Sequence, residues 1–157
     1  MTLRVLSIGK TNIAYVKDGT GLFLNRLKHY VKLSWEELAD VKNAAQLKPI
    51  DLKRIEGELI LGKLKPGDVL VLLDETGNNM DSLAFANWLE NKMMHAPKDF
   101  VFVIGGAYGF SDEVYKRSDF KISLSKMTFN HQLVRLIFAE QLYRAFTIQR
   151  GEPYHHA

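Results

Sequence analysis

Apolar residues gather in five short segments of the chain, at residues 3–9, 31–38, 68–74, 99–105 and 119–125. Three of them contain nearly continuous runs of branched or aromatic residues: LRVLSI, VLVLL and FVFVI. Such runs predict central strands that are covered on both faces. The segment VKLSW alternates instead, which indicates a strand exposed on one side, although Ser34 and Glu37 also fit a helix capping box.

Helical patterns lie between and after these segments, at residues 14–29, 51–65, 81–95, 111–117 and 130–150. Gly19 and Gly21 interrupt the first pattern, whereas Asp81 and Ser111 are favourable N-cap residues for two of the others. Gly151 suits the position that follows a helix C-terminus. Alternation of strands and helices predicts an α/β fold with a parallel sheet at its centre.

The last helical pattern is apolar around nearly its whole circumference. Leu133, Leu136, Phe138, Leu142 and Tyr143 point in different directions around the helix axis. A helix of this kind is buried on more than one side, and the sheet of a small domain covers only one of them. We therefore expect a homodimer, with a monomer whose other helices cover the second side as the alternative.

Composition narrows the class of protein. The chain has 157 residues, of which 46% are hydrophobic and 25% charged, which predicts one globular domain over residues 1–157. The absence of cysteine excludes disulfides and thiolate metal sites, and no metal site is expected. No signal-peptide pattern or membrane-length apolar run occurs, which favours a cytoplasmic location without membrane association. A net charge of +3 permits a nucleic-acid partner without requiring one.

Three loops follow the carboxyl ends of predicted strands, at residues 72–80, 104–110 and 123–129. Ligands of open α/β sheets bind beyond those ends. The second loop contains Gly105, Gly106 and Gly109, which permit close approach of the backbone to a ligand. Neither a dinucleotide-binding fingerprint nor a Walker lysine is present. A glycine-rich turn alone fits a ligand loop and a simple tight turn equally well.

The third loop, SLSKMTF, has an unusual composition for a connector, because it is neither strongly charged nor rich in Gly, Asp or Asn. Its short polar side chains offer hydrogen bonds to the edge of a ring, and Leu124, Met127 and Phe129 offer an apolar wall. This combination suits an uncharged aromatic ring better than a phosphate. Composition alone does not distinguish adenine from other rings.

Several polar residues near the C-terminus allow either a structural or a functional interpretation. His131 and Arg135 share one helical face, and Glu140 and Arg144 have the spacing of a structural ion pair. The tail that contains Tyr154, His155 and His156 lies beyond the helix. A histidine pair there lacks the further ligands that a metal site needs.

Longer segments carry a resemblance to a known family. FVFVIGGAYG and ISLSKMTFNHQLVRLIFAEQLYRAFTIQRGEPYHH resemble the ribosomal RNA large subunit methyltransferase H family, which is of the SPOUT class. The LSIGK and LDETG segments match as well, so the similarity extends over essentially the whole chain. Two positions depart from the family pattern: Asn130 replaces a common Pro, and His156 and Ala157 replace a basic end.

The resemblance implies a mostly parallel sheet of five to six strands with helices on both faces, a C-terminal trefoil knot and a homodimer. It also implies S-adenosylmethionine as the methyl donor and methylation of N3 of a pseudouridine in the helix 69 stem-loop of 23S rRNA. The substrate would be the assembled 70S ribosome. By position, the donor contacts would be Leu73, Gly105, Leu124, Ser125, Lys126, Met127, Thr128 and Phe129.

The same resemblance suggests roles for residues on the substrate side. His155 would act as the base that takes the ring proton, or would help to stabilise the anionic ring. Tyr154 would stack on that ring or orient it. Arg135 and Arg144 would contact phosphate or the anionic ring, with Lys10 and Arg150 as weaker candidates. Two rivals stay open at this stage: a noncatalytic nucleotide- or RNA-binding module, and a SPOUT methyltransferase that acts on tRNA.

Overall fold

The computed structural model describes residues 1–156, and Ala157 lies outside the described residues. The strands are β1 (Leu3–Ile8), β2 (Leu33–Leu38), β3 (Val69–Asn79), β4 (Phe100–Ile104) and β5 (Phe120–Ser123). The α-helices are α1 (Ala14–Leu27), α2 (Pro49–Gly62), α3 (Ser82–Met94), α4 (Asp112–Arg117) and α5 (Leu133–Gln149). One turn of 3₁₀ helix spans Ala44–Gln46. Within residues 1–156, none of the helices combines the length and the hydrophobicity that a membrane span requires.

The five strands form one parallel sheet in the order β2-β1-β4-β3-β5. This arrangement confirms the predicted α/β fold with a parallel sheet. It also makes β4, β3 and β5 consecutive neighbours, so the loops that leave their carboxyl ends emerge side by side. The C-terminal knot stays a prediction.

Hydrophobic cores lie on both faces of the sheet, as the continuous apolar runs predicted. In β4, Phe100 and Phe102 face a core formed with α1, α3 and α5, whereas Val101 and Val103 face one formed with α2 and α4. All four side chains are fully buried. Because successive side chains of a strand point to opposite faces, a strand buried on both sides must be apolar throughout.

Two elements differ in detail from their sequence patterns. The segment around Ser34 and Glu37 is strand β2, so the capping-box alternative is wrong. Helix α1 runs without interruption through Gly19 and Gly21. A Cβ atom on Gly19 would lie 2.7 Å from a methyl carbon of Leu136, so this glycine lets α1 and α5 pack closely. Tertiary packing outweighs the weak helix propensity of glycine here.

Strand β3 extends five residues beyond its predicted end and contains an irregularity. Leu73 and Asn78 both lie opposite Ile122 of β5, so residues 74–77 bulge out of the ladder. A Cβ atom on Gly77 would lie 2.6 Å from the backbone nitrogen of Ile122, which excludes any larger residue from this close approach. Bulges of this kind re-aim side chains next to ligand sites.

Helix α5 is buried on one side and only partly covered on the other. Phe138, Ala139 and Leu142 are fully buried, whereas Leu136 and Tyr143 are only half-buried within the chain. The helix begins at Leu133, three residues later than predicted. The Asn130 side chain accepts hydrogen bonds from the backbone nitrogens of Gln132 and Leu133, so it caps the turn that precedes the helix.

Candidate functional site

The three segments predicted as loops at residues 72–80, 104–110 and 123–129 line a cavity of about 550 Å³, and the first of them is the bulged end of β3. Residues 73–76 come from the first loop, 104–110 from the second, and 123–125 and 127–131 from the third. Val134, in the first turn of α5, also lines the cavity. The cavity thus lies at the carboxyl ends of three adjacent strands, where parallel sheets bind ligands.

The cavity lining includes most of the residues that the resemblance assigned to the methyl donor. Seven of the eight are present: Leu73, Gly105, Leu124, Ser125, Met127, Thr128 and Phe129. Lys126 is exposed and does not line the cavity. Met127 and Tyr108 lie at the rim, where their side chains are 78% and 57% exposed. Two large apolar side chains exposed beside a cavity are available to cover a ligand.

The SKMT loop is shaped by its own polar groups. The Ser123 hydroxyl donates to the carbonyl of Ser125 at 2.8 Å, and the Ser125 hydroxyl accepts from the Met127 nitrogen at 3.0 Å. The Asn79 side-chain amide donates to the Ser123 carbonyl at 3.1 Å. Because Asn79 follows the β3 bulge, this bond ties the first loop to the third.

Asp74 occupies the β3 bulge and is held by three hydrogen bonds. The backbone nitrogen and the hydroxyl of Thr76 both donate to Asp74 Oδ1 at 2.8 Å, and the Tyr115 hydroxyl donates to Oδ2. Burial acts to raise the pKa of Asp74, but these bonds and the nearby Lys121 outweigh it, so the pKa lies below its ordinary value. Burial and the bond to Asp74 raise the pKa of Tyr115 to about 12. At neutral pH the pair is a carboxylate and a neutral phenol.

The charge of the cavity is negative. Asp74 and Glu75 line it, whereas no Lys or Arg of residues 1–156 does. A third carboxylate, that of Glu56, lies behind the second loop: a Cβ atom on Gly106 would be 2.6 Å from it. Burial, then the charge of Asp40, raises the pKa of Glu56 to about 6. Such a lining favours a ligand with positive charge and disfavours a phosphate.

A separate cluster joins the C-terminal tail to α5. Arg144 donates to Glu140 Oε1 from Nε at 3.0 Å and from Nη2 at 2.6 Å, and its Nη1 lies 3.0 Å from His155 Nδ1. The Tyr154 hydroxyl donates to the same Glu140 oxygen at 3.1 Å. The Arg144 guanidinium also lies over the Tyr154 ring, 4.9 Å from its centre. The expected ion pair between Glu140 and Arg144 is confirmed, and it also organises both tail residues.

The tail is fixed by contacts with the turn that follows α1. The Tyr30 hydroxyl donates to Glu152 Oε2 at 2.5 Å, and Arg150 donates to the His29 carbonyl at 3.3 Å. The hydrogen bond to Glu152, followed by burial, raises the pKa of Tyr30 to about 12. The Arg150 guanidinium stacks over the Tyr30 ring at 4.4 Å. Arg150, a weaker candidate for RNA contact, is thus engaged within the chain.

The cavity and the tail cluster do not meet within one chain. Arg144, Tyr154 and His155 are absent from the cavity lining formed by the described residues. Along α5, Arg144 lies about 15 Å beyond Val134, which lines the cavity. Three of the four residues predicted for catalysis are therefore together, but apart from the residues predicted for the donor.

The fourth, Arg135, lies in the interior. Its side chain is only 1% exposed, and the guanidinium donates to the carbonyls of Ile8 and Gly9 at 2.6 and 2.9 Å. It also donates to the Thr11 hydroxyl at 2.9 Å and pairs with Glu37 at 3.5 Å. In this conformation Arg135 fastens the carboxyl end of β1, so the expectation that it contacts phosphate or the reacting ring does not fit its position.

Several residues of the cavity and of the tail cluster were not predicted from the sequence. Asp74, Thr76 and Tyr115 were not singled out, although an acidic residue at the end of an apolar strand is a recognisable signal. For Glu140, the sequence pattern indicates only one half of an ion pair. Tyr115 could not have been found, because it comes from α4 and reaches Asp74 across 41 positions of sequence.

Comparison with known proteins agrees with this geometry. A family model described as a predicted SPOUT methyltransferase matches residues 1–155, and the chain belongs to this family of methyltransferases. Within it, the chain is a member of the ribosomal RNA large subunit methyltransferase H group, as its relatives show. The protein of that name from Parabacteroides distasonis is 52% identical over 99% of both chains. Those from Flavobacterium psychrophilum and Christiangramia forsetii are 51% and 49% identical over the same share.

Proposed function

We propose that this chain transfers a methyl group from S-adenosylmethionine to N3 of a pseudouridine in large-subunit ribosomal RNA, with the 70S ribosome as substrate. The family gives the class of reaction, and the names of the relatives give the type of RNA. The choice of atom, and of pseudouridine in helix 69, comes from the resemblance noted in the sequence. A cytoplasmic location belongs to the same proposal.

One observation supports the donor most directly, namely the character of the three-loop cavity. Leu124, Met127 and Phe129 give it apolar walls, while Ser125 and Thr128 provide polar groups and backbone edges suited to an adenine ring. Its carboxylates suit the positively charged sulfur and amino groups of the donor. The same lining opposes the rival in which the glycine loop binds the phosphates of a nucleotide.

The residues of the chain have to position the donor and exclude water. When bound, S-adenosylmethionine supplies a methyl group on a cationic sulfur, which keeps the bonding electron pair as that bond breaks. The new bond forms from N3 of the pseudouridine ring, whose proton passes to a base or to solvent. Alignment of the two reacting atoms supplies much of the acceleration, since the methyl carbon is already electrophilic.

The tail cluster fits the substrate side of this reaction. Arg144 can only donate hydrogen bonds, so the close Nδ1 of His155 accepts, and a neutral ring then carries its proton on Nε2. In this arrangement His155 donates from Nε2, and together with Arg144 it is suited to stabilise negative charge that develops on the uracil ring. Arg144 and Glu140 fix the orientation of the Tyr154 ring, which is suited to stack against a base.

We further propose that the active form is a homodimer in which the tail cluster of one chain completes the cavity of the other. Two features support this. The cluster lies away from the cavity within its own chain, and α1 and α5 leave apolar surface uncovered. Tyr15 and Leu22, on the same side of α1, are 62% and 50% exposed. A second copy that covers this surface would bury it and bring in the cluster.

The function is tested by incubating the protein with donor labelled in its methyl group and with purified 70S ribosomes, free 50S subunits or tRNA. We expect label in the 23S rRNA of ribosomes, and mapping by mass spectrometry should place it on N3 of a pseudouridine. Label in tRNA would favour the other SPOUT activity. Tighter binding of mononucleotides than of S-adenosylmethionine, with no labelled RNA, would favour the noncatalytic module.

A further inference from the structure

We propose that Asp74, held in place by Tyr115 and Thr76, makes the cavity prefer the cationic methyl donor over the neutral product of transfer. This inference rests on the proposed function, because it concerns the same cavity. It assigns a specificity-determining role to Asp74 and a positioning role to Tyr115. Neither residue was among those that the sequence suggested for the donor.

The geometry gives Asp74 a fixed orientation. Residues 74–77 leave the β3 ladder, and two donors from Thr76 fix Oδ1 while the Tyr115 hydroxyl fixes Oδ2. Each carboxylate oxygen has two lone pairs, so Oδ2 keeps accepting capacity for a ligand in the cavity. A side chain that is already ordered loses little entropy when a ligand binds.

The electrostatic setting makes this carboxylate important for ligand choice. No Lys or Arg among residues 1–156 lines the cavity, so Asp74 and the more exposed Glu75 set its charge. Lys121 lies outside this lining, over the Tyr115 ring with Nζ 5.4 Å from the ring centre, and its charge helps to lower the pKa of Asp74. The cavity therefore carries a net negative charge.

Donor and product differ in charge at one atom. S-adenosylmethionine carries a positive sulfur, and S-adenosylhomocysteine, which remains after transfer, has a neutral sulfur with the same adenosine and amino-acid parts. A fixed carboxylate near the binding site attracts the first more strongly than the second. At the distances and effective dielectric of a partly buried site, one such charge gives a preference of roughly tenfold. The product then leaves more readily than the donor.

The test measures dissociation constants by calorimetry for the donor, the product and sinefungin, in which a protonated amine replaces the methylsulfonium. For the unaltered protein we expect the two cationic ligands to bind roughly tenfold more tightly than the product. Asp74→Asn keeps the size of the side chain and removes the charge. It should weaken the two cationic ligands roughly tenfold and the product much less, so the ratio falls towards one.

Two further variants separate charge from position. Tyr115→Phe keeps the ring and the charge of Asp74 but removes one fixing bond, so the donor-to-product ratio should fall part of the way. Glu75→Gln removes the same charge from a more exposed side chain and should lower the ratio less than Asp74→Asn. Far-UV circular dichroism and thermal unfolding show whether each variant is folded, and a ratio of two affinities is insensitive to a small unfolded fraction.

The outcomes distinguish the inference from the function beneath it. If Asp74→Asn leaves the ratio of donor affinity to product affinity unchanged, for example by weakening all three ligands equally, the role of Asp74 in charge selection is overturned. The methyltransferase proposal would still stand. Binding of none of the three ligands by the unaltered protein would overturn both. A ratio that falls in Asp74→Asn and partly in Tyr115→Phe supports the inference.

Discussion

Arg135 illustrates how one buried side chain satisfies backbone carbonyls at the end of a strand. At the carboxyl end of β1, beyond the last residue that pairs with β4, the guanidinium donates hydrogen bonds to the carbonyls of Ile8 and Gly9. The charge itself is only partly balanced, by Glu37. A buried arginine of this kind contributes through the acceptors that it satisfies, because each would otherwise be buried without a partner.

We expect Arg135→Lys to lower the free energy of unfolding by about 2 kcal/mol, because an ammonium group cannot reach three acceptors in a plane. Urea denaturation followed by circular dichroism measures the change. Arg54→Lys is the matched control, since Arg54 forms an exposed pair with Glu58 and its replacement should cost less than about 0.5 kcal/mol. Equal effects in both variants would contradict the structural role of Arg135.

Glu56 gives a second test at the scale of one residue. The residue is 6% exposed, and its Oε1 has no hydrogen-bond partner among the described residues. Burial, followed by the charge of Asp40, raises its pKa to about 6 from 4.5. The folded protein thus binds this proton more tightly than the unfolded chain. The associated stability is fully present below about pH 4.5 and is lost as the pH rises through about 6.

The change in the free energy of unfolding caused by Glu56→Gln should therefore be more favourable at pH 7.5 than at pH 4.5, by at most about 2 kcal/mol. The reason is that the amide stays neutral at both pH values. Denaturant unfolding of both proteins at the two pH values gives the difference. Asp112→Asn is the control, because it replaces a carboxyl by an amide at an exposed position of α4. A Glu56→Gln effect independent of pH would contradict the raised pKa.

At the scale of elements, the loop after β4 depends on Gly105. A Cβ atom there would lie 2.9 Å from the ring of Phe110, a buried residue that also lines the cavity. A larger residue must displace either the ring or the loop. The glycine is therefore required by packing behind the loop, in addition to any close approach of the donor in front.

Gly105→Val should weaken binding of S-adenosylmethionine at least tenfold, about 1.4 kcal/mol, because the displaced loop no longer forms one wall of the cavity. Calorimetric titration measures the affinity. Gly62→Val, where a new Cβ atom would meet nothing within 4 Å, is the control and should bind normally. Unchanged affinity in Gly105→Val would show that the loop is only a turn.

The tail behaves as an element because Glu140, Arg144 and Tyr30 hold it. His155→Ala should reduce methyl transfer to 23S rRNA at least a hundredfold while donor affinity stays nearly unchanged, since general acid–base or charge stabilisation contributes about that much. Single-turnover assays with labelled donor measure the rate. Full activity would remove His155 from the mechanism.

His155→Gln distinguishes the two roles of this residue. A glutamine amide can still donate a hydrogen bond but cannot accept a proton at neutral pH. If His155 stabilises charge as a donor, this variant should retain a substantial part of the activity that His155→Ala loses. If His155 is the base, both variants should be equally inactive.

At the scale of the whole molecule, the uncovered faces of α1 and α5 lead to a prediction about assembly. Leu22→Glu places a charge in the proposed interface and should convert a dimer into a monomer at micromolar concentration, with loss of methyl transfer. Sedimentation velocity measures the state. Ile50→Glu, at an apolar residue that is 71% exposed on α2 across the sheet, should leave the dimer intact. A monomeric unaltered protein would contradict the proposal.

The residue pattern predicted those strands and helix starts that depend on residues close together in the chain. Continuous runs such as FVFVI placed the central strands, because burial on both faces demands apolar side chains throughout. Caps at Asp81 and Ser111 placed two helix starts within one residue, and both side chains accept the expected backbone bond. The β3 bulge was not predictable, because it depends on contact with β5. Gly77 of the bulge lies against Ile122 of β5, which is 45 residues later in the chain.

The amino-acid order alone was sufficient for the fold class, the three segments that line the cavity and the family, because periodicity, strand-end glycines and long motifs are local properties of the chain. Folding alone decided which loops meet, since the strand order β4-β3-β5 follows from non-local pairing. It also placed Tyr115 on Asp74, buried Arg135, and separated the tail cluster from the cavity. Those relations join residues tens of positions apart, and their geometry comes from packing, which no local pattern encodes.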